Sequence, residues 1–154
     1  MSKVRNILFI MADQLRWDYW SCYGHPHLKT PNIDGLAKKG VLFESAYVQS
    51  PVCGPSRASY YTGRTVFSHG STWNQVPLPI GELTIGDYLG KSGIRTGIVG
   101  KTHMQPDADG MARLGINKNT EIGLVVSEPG FEPYESCLLY TSPSPRDQRG
   151  SRMH

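Results

Sequence analysis

Residues 50–63 read SPVCGPSRASYYTG, the strongest chemical pattern in this chain of 154 residues. Cys53 stands just before a predicted helix, and Pro55 suits the first helical turn, where its missing N–H costs nothing. Backbone N–H groups at a helix start favour an anion, and Arg57, one turn further on, can point back to the same place. A lone cysteine here is usually a buried structural thiol. The complete pattern C-x-P-S-R-x-x-x-x-T-G weighs against that alternative and predicts a nucleophile beside an anion cradle and a fixed cation.

The segments around this stretch alternate between apolar runs and helical patterns. Residues 6–12 form a short continuous apolar run, which is typical of a central strand in a parallel sheet. The patterns predict further strands at 41–47, 94–99 and 122–126, and helices at 31–39 and 84–89. Asp13 follows the first strand, at the edge where open α/β sheets bind ligands. This order predicts an α/β domain built in layers.

A second long motif and two shorter ones accompany the cysteine stretch. Residues 93–103 read GIRTGIVGKTH, residues 22–24 read CYG, and residues 30–34 read TPNID. Together with the Cys53 pattern they resemble the sulfatase family over residues 4 to about 104, in the family's order and at similar separations. The resemblance implies an α/β fold, an alkaline-phosphatase-like sandwich with a mostly parallel central sheet, of which this chain is the N-terminal portion only.

The resemblance also implies a mechanism that begins at Cys53. In the family a formylglycine-generating or sulfatase-maturating enzyme oxidises this cysteine to formylglycine. One hydroxyl of the aldehyde hydrate attacks the sulfur of a sulfate ester and displaces the alcohol. The other hydroxyl then loses its proton, and sulfate is eliminated as the aldehyde re-forms. An unmodified thiol could not complete that elimination.

The catalytic residues implied by the resemblance are Cys53, Arg57, Lys101 and His103. Arg57 steadies the hydrate, Lys101 holds the sulfate and contacts the hydrate, and His103 hydrogen-bonds to it. Taken singly, Lys101 would be an ordinary surface charge and His103 a loop histidine. The presence of the Cys53 pattern favours the catalytic interpretation of both.

The metal ligands implied by the resemblance are Asp13, Gln14 and the modified Cys53. One divalent metal, Ca²⁺ first with Mn²⁺ or Mg²⁺ as alternatives, would lower the pKa of the attacking hydroxyl and neutralise the sulfuryl oxygens. Many sulfatases have a second aspartate where this chain has Gln14, and a carboxamide binds a hard cation more weakly. Asp13 alone could instead be a helix N-cap.

Two functions compete for this site, with a third that uses no catalysis. The primary prediction is a sulfuric ester hydrolase, arylsulfatase-like, that cleaves small sulfate esters. The Asp13-Gln14 pair followed by LRWD resembles the choline-sulfatase and phosphonate monoester hydrolase branch, so a phosphonate monoester or phosphodiester hydrolase is the alternative. The third hypothesis is a non-catalytic, truncated relic. Thr102 stands where the family usually has tryptophan, and this is expected to alter the cleft wall only.

The end of the chain is expected to be foreign to the protein. Residues 137–154 resemble the translation of a sequencing adapter, with a natural Pro/Ser-rich linker as the alternative. Residues 1–135 are therefore expected to form the N-terminal part of a sulfatase catalytic domain, and 136–154 a non-native, disordered tail. Because the family's remaining metal ligands come from downstream, this fragment is expected to be inactive alone.

Composition and charge argue against several other functions. The formal net charge is +3, and Arg146, Arg149 and Arg152 against Asp147 near the end account for two of those charges. No nucleic-acid partner is therefore expected. Three widely spaced cysteines form neither a disulfide framework nor a zinc pattern. The apolar run at 7–12 is too short for a signal peptide or a membrane span, so we expect a cytoplasmic protein with no membrane partner.

Overall fold

The computed structural model describes residues 6–133 and divides into two compact units. The first unit ends at Tyr47 and the second begins at Val48. The tail predicted at 136–154 lies outside the described residues. Between residues 6 and 133 there is no helix long and apolar enough to cross a bilayer.

The described part of the first unit, residues 6–47, contains three short helical segments. Two single-turn 3-10 helices, Trp17–Tyr19 and Ser21–Tyr23, precede helix α1, Pro31–Lys39. Proline suits the first position of α1 because its fixed φ is already helical. The helix ends at Gly40, whose N–H donates to the Leu36 carbonyl at 2.9 Å. The helix predicted at 31–39 is therefore confirmed.

A cluster of hydrogen bonds joins the CYG and TPNID segments. Ser21, which directly precedes CYG, accepts a hydrogen bond from the Thr30 backbone N–H at 2.7 Å. The Ser21 hydroxyl also lies 2.8 Å from the Thr30 hydroxyl and donates to the Asp34 carboxylate at 2.7 Å. Each such bond contributes about 1 kcal/mol, so the two motifs stabilise one another.

The described part of the second unit contains short helices and two parallel strands. In chain order these are α2 (Cys53–Thr62), α3 (Val66–His69), α4 (Ile85–Lys91), β1 (Gly97–Ile98), α5 (Ala108–Arg113), α6 (Glu121–Ser127) and β2 (Glu132–Pro133). Strand β1 pairs with β2 in parallel, with Gly97 opposite Glu132. The parallel pairing agrees with the predicted α/β class, but the sheet is far smaller than the mostly parallel central sheet that was expected.

Helix α4 confirms the helix predicted at 84–89 and shows why it begins there. Thr84 and Asp87 form a capping box, in which each side chain accepts a hydrogen bond from the other residue's backbone N–H. The bond from the Thr84 N–H to Asp87 Oδ2 is 2.8 Å long. Just beyond the helix, Gly93 has a φ of 71°, a left-handed conformation that glycine adopts without strain.

The core of the second unit lies around α2. The Tyr61 ring is buried and meets Phe131 edge-on, with ring centroids 5.5 Å apart. His69 at the end of α3 is 2% exposed, and its Nε2 lies 2.9 Å from Ser59 Oγ on α2. Its Nδ1 accepts a hydrogen bond from the Ser71 N–H, so the proton of the neutral ring is on Nε2, and His69 donates to Ser59.

Two predicted strands are wrong in the described structure. Residues 6–12 and 41–47 form no strand, and Ile7 and Tyr47 are each 88% exposed. A strand needs a neighbour to pair its backbone N–H and C=O groups. Among residues 6–133, β1 and β2 form the only paired strands, so these apolar runs have no ladder to join.

The other two predicted strands also differ from the structure. The one predicted at 94–99 is reduced to β1. Residues 122–126 belong to helix α6, because Thr120 caps the helix by accepting the Gly123 N–H at 3.1 Å, and Glu121 in the first turn suits the helix dipole. Local capping outweighs the preference of Ile122 and Val125 for strands.

The buried His69 makes the stability of the second unit depend on pH. Burial lowers the pKa of the imidazole; the charge of Glu82 opposes this and that of Arg64 adds to it. The unfolded chain binds the proton near the ordinary pKa of 6.5. The stability that depends on the neutral His69 ring is therefore fully present above about pH 6.5. It is lost progressively as the pH falls from there toward the lowered pKa of the folded state.

We expect the urea midpoint of the full chain to fall between about pH 7.5 and about pH 5. His69→Gln should remove part of this dependence, since its amide does not titrate. His27→Gln, at an exposed position, is the matched control and should keep the wild-type dependence. Identical pH profiles for wild type and His69→Gln would contradict the assignment.

Candidate active site

Cys53 was predicted to stand just before a helix, and it is in fact the first residue of α2. Val52 before it is extended and supplies no side-chain cap, and the first helical bond runs from the Ser56 N–H to the Val52 carbonyl at 3.1 Å. Pro55 lies in the first turn and is fully buried. The Cys53 thiol forms no disulfide and is half-buried. The local sequence thus presents a reachable thiol at the start of a buried helix.

One N–H group of this helix start is already occupied. Asn74 Oδ1 accepts a hydrogen bond from the Gly54 N–H at 2.8 Å. A Cβ placed at Gly54 would lie 2.9 Å from that oxygen and 3.3 Å from Asn74 Cα, so glycine permits the close approach. At Gly54, an amide side chain therefore takes one of the N–H groups that a helix start could otherwise offer to an anion.

Sequence reasoning missed Asn74. The contact spans 20 residues, and no periodic pattern shows which loop returns to a given helix start. The sequence shows only one asparagine in the loop after the His69-Gly70 pair. Loop asparagines are too common for this one to be recognised as a helix cap.

Arg57 connects the two long motifs. Its side chain is 7% exposed, and Nη1 donates to the Lys101 carbonyl oxygen at 2.5 Å, across 44 residues of chain. Burying a guanidinium is costly unless its N–H groups are satisfied. The bond therefore stabilises the arginine and brings the GKTH segment to α2. Of the predicted site residues, the structure brings these two together directly.

Lys101, Thr102 and His103 follow the carboxyl end of β1, the edge where parallel sheets bind ligands. Lys101 and His103 are half-buried. Thr102 is buried, so it does not line an open cleft wall as expected. His103 has a φ of 58°, which is uncommon outside glycine and recurs at functional sites.

Asp13 and Gln14 belong to the first unit, where they form an exposed bend. Gln14 has a φ of 52°, again in the left-handed region. Carboxylate and carboxamide oxygens are hard donors that suit Ca²⁺, Mn²⁺ or Mg²⁺, but Ca²⁺ takes about six to eight of them. Residues 6–133 contain no cluster of three or more His, Cys, Asp or Glu side chains that could hold a metal. Asp13 and Gln14 thus carry donors of the chemical type that the expected metal takes, and two side chains are fewer than such a metal needs.

A thiol at a helix start, a buried arginine one turn on and a Lys-Thr-His segment that follows a strand thus belong to one compact unit. The Sulfatase family model matches residues 5–130, and the chain belongs to the sulfatase family.

Individual relatives come from both functions considered above. Arylsulfatase D of Homo sapiens is 41% identical over 109 residues, which cover 64% of this chain and 18% of that protein. Arylsulfatase A of Homo sapiens is 38% identical over 111 residues, covering 68% and 22%. A solved phosphonate monoester hydrolase from Silicibacter pomeroyi superposes with a TM-score of 0.68 at 29% identity, covering 96% and 29%. The chain spans about a fifth of the length of the curated relatives it matches.

Asn74→Ala is expected to destabilise the second unit, because it leaves the Gly54 N–H without its acceptor. Loss of an N-terminal helix cap costs about 1 kcal/mol, which should appear as a lower urea midpoint. Asn74→Asp is the matched control: it keeps an oxygen acceptor and adds a charge that suits a helix start, so it should retain stability. Equal losses in both variants would show that side-chain packing, and not the cap, is what Asn74 contributes.

Proposed function

We propose that this chain is the N-terminal part of a sulfuric ester hydrolase, an arylsulfatase-like enzyme that cleaves sulfate esters of small molecules. The observation that carries the proposal is the bond from Arg57 to the Lys101 carbonyl, because it joins the Cys53 motif and the GKTH motif in one compact unit. Identities of 41% and 38% to human arylsulfatases D and A support the choice of sulfate esters.

Cys53 must be oxidised before it can act in this proposal, so a formylglycine-generating or sulfatase-maturating enzyme is the expected partner. The formylglycine hydrate supplies the attacking hydroxyl and the second hydroxyl whose deprotonation releases sulfate. The start of α2 favours a negative charge beside residue 53. Arg57, held by the Lys101 carbonyl, keeps its positive charge one turn away with little freedom to move.

Lys101 and His103 are proposed to bind the sulfate and the hydrate. The ammonium group of Lys101 is a compact charge that attracts sulfuryl oxygens. An imidazole can donate a hydrogen bond to the hydrate or accept one from it, according to its tautomer. The left-handed backbone at His103 costs about 1 to 3 kcal/mol in residues of this kind, which supports a functional reason for its position.

Asp13, Gln14 and the modified Cys53 are the proposed ligands of one divalent metal, Ca²⁺ first, with Mn²⁺ and Mg²⁺ as alternatives. Such a metal supplies positive charge that acidifies the attacking hydroxyl and neutralises sulfuryl oxygens. Asp13 contributes a charged oxygen and Gln14 a neutral one. Because a hard cation needs more oxygen ligands than these, we propose that a further part of the protein supplies them and that this segment alone is inactive.

A phosphonate monoester or phosphodiester hydrolase using the same site is the second candidate. The likeness to the Silicibacter pomeroyi enzyme, at a TM-score of 0.68, and the Asp13-Gln14 pair favour it. Sulfate monoesters and phosphonate monoesters are both tetrahedral anions with one negative charge, so Arg57 and Lys101 suit either. The non-catalytic relic and the cytoplasmic location stay predictions from sequence.

The full-length protein that contains this segment, produced with a maturation enzyme, is expected to hydrolyse an aryl sulfate faster than a phenylphosphonate ester. Mass spectrometry of the Cys53 peptide should show an aldehyde in place of the thiol. Cys53→Ala should lower kcat by about 10⁴-fold or more, as loss of a nucleophile does, while Cys22→Ala should retain activity. A preference for the phosphonate ester would favour the second candidate function. An unmodified Cys53 thiol in every growth condition would contradict the formylglycine mechanism.

Asp13→Asn is expected to weaken metal binding by about 100-fold or more, because it removes a charged ligand and even a change behind the ligands costs about 10- to 100-fold. Gln14→Asp should strengthen binding, since it adds a carboxylate. Calorimetric titration of Ca²⁺ and of Mn²⁺ into the metal-stripped full-length protein measures both effects and ranks the two metals. Unchanged affinity in Asp13→Asn would exclude Asp13 as a ligand.

A further inference from the structure

The two peptide groups on either side of Cys53 are both fixed by hydrogen bonds. On the N-terminal side, the Val52 carbonyl accepts a bond from the Ser56 N–H at 3.1 Å, the ordinary first bond of a helix. On the C-terminal side, the Gly54 N–H donates to Asn74 Oδ1 at 2.8 Å. The orientation of these two rigid planes sets the backbone angles of Cys53. The bond to Asn74 therefore helps to fix the direction in which the Cys53 side chain leaves the backbone.

Helix α2 does not supply this second bond from its own start. The first N–H groups of a helix have no partner within it, and a polar side chain at the N-cap usually accepts one of them. Val52 occupies the N-cap of α2 and has no side-chain acceptor. Asn74 therefore acts as a cap that comes from 20 residues further along the chain.

The loop that carries Asn74 is itself held in place. The Val76 N–H donates to the Trp73 carbonyl at 3.2 Å, which closes a turn around Asn74 and Gln75. Gln75 has a φ of 73°, a conformation for which turns favour glycine or asparagine. Ser71 is fully buried, and its Oγ donates to the Val76 carbonyl at 2.8 Å. These bonds restrain the backbone from which the Asn74 amide projects.

The same loop is attached to α2 at a second point. The Ser71 N–H donates to His69 Nδ1 at 3.1 Å, and His69 Nε2 lies 2.9 Å from Ser59 Oγ. Ser59 lies more than one turn after Gly54 on α2. A single attachment would let the loop pivot, whereas two attachments along the helix restrain it. The position of Asn74 relative to the start of α2 is therefore well determined.

The lack of charge on Asn74 suits a site for an anion. An aspartate would accept the same hydrogen bond and would interact more favourably with a helix start, so capping alone gives no reason to prefer asparagine. A carboxylate beside residue 53 would repel a sulfate ester, whereas a carboxamide caps the helix without adding charge.

We propose that Asn74 is a positioning residue for residue 53, because its amide oxygen fixes the direction of the nucleophile and its neutrality leaves the helix start open to an anionic substrate. Asn74 acts through the Gly54 N–H. Its effect on turnover rests on the proposed function, whereas its placement beside Cys53 does not.

Alkylation of the unmodified Cys53 thiol in the full chain tests the placement without any activity. Iodoacetamide is neutral and iodoacetate is an anion, so the ratio of their rates at Cys53 reports the local charge. Asn74→Asp should lower the iodoacetate-to-iodoacetamide ratio by about 3- to 10-fold, and Asn74→Ala should not lower it. Asn117→Asp makes the same charge change at an exposed turn and should keep the wild-type ratio. Mass spectrometry of the Cys53 peptide measures both rates.

Kinetics of the matured full-length protein separate position from charge. Asn74→Ala should lower kcat by about 10- to 100-fold, as small misplacements of reacting groups do, with little change in KM. Asn74→Asp keeps the cap, so kcat should stay near wild type while KM rises by about 5- to 30-fold. Salt at about 1 M should reduce that rise in KM. Rates are divided by the formylglycine content of each variant, and Asn117→Ala is the control.

Gly54→Ala removes the same contact from the other side. A Cβ at this position would lie 2.9 Å from Asn74 Oδ1 and 3.3 Å from Asn74 Cα, so the amide must move away. Alanine is a better helix former than glycine, which offsets part of the lost stability. Gly54→Ala should lower kcat as Asn74→Ala does. The double variant should lose no more than the worse single variant, because both changes remove one bond.

The outcomes separate this inference from the proposed function. Wild-type kcat in both Asn74→Ala and Gly54→Ala overturns the positioning role, and so do equal falls in kcat in Asn74→Ala and Asn74→Asp with KM unchanged. An unaltered alkylation ratio in Asn74→Asp contradicts the placement of Asn74 beside Cys53, whatever the enzyme hydrolyses. If the wild type hydrolyses no sulfate ester, the proposed function fails, while a lowered ratio still supports the placement. If Asn74→Ala does not fold, Gly54→Ala and Asn74→Asp decide in the same way.

Discussion

The buried guanidinium of Arg57 is the constraint on which the second unit depends. A charge removed from water must have its N–H groups satisfied, or it costs several kcal/mol. The Lys101 carbonyl meets part of that need, and it can do so only if the chain leaving β1 turns toward α2. This hydrogen bond stabilises the buried arginine and also holds the Lys-Thr-His segment close to α2. Stability and site geometry share one interaction.

Helix α2 depends on contacts from later parts of the chain more than on its own sequence. It contains glycine, proline, serine and adjacent tyrosines, none of which is a strong helix former. Its position is fixed by three distant residues: Asn74 at its start, His69 against Ser59, and Phe131 against Tyr61. A helix held in this way orders together with its surroundings. The helix that carries Cys53 is therefore stabilised by residues as distant in the chain as Phe131.

Sequence patterns predicted the elements whose signals are local. Pro31 at the start of α1, Thr84 at the start of α4 and Cys53 at the start of α2 lie where the capping and proline rules place them. Predictions of strands were less accurate. An apolar run such as 6–12 forms a strand only when a second strand pairs with it, and the periodicity of a sequence does not identify that second strand. Asn74 was missed for a related reason: it acts on Gly54, 20 residues away in the chain, through one contact.

Because the backbone is left-handed at His103 and Gln14, most substitutions at these positions change the backbone energy as well as the side-chain chemistry. Histidine, asparagine and aspartate enter this conformation more readily than other residues with side chains, and a β-branched residue does so only with strain. Replacing His103 with alanine or valine would combine the loss of the imidazole with a change in backbone energy. Asparagine tolerates the left-handed backbone, so His103→Asn reports mainly the loss of the imidazole. At Gln14, likewise, asparagine shortens the carboxamide while respecting the backbone. The effect of a variant at either position can therefore be assigned to its side chain only if the new residue tolerates the left-handed backbone.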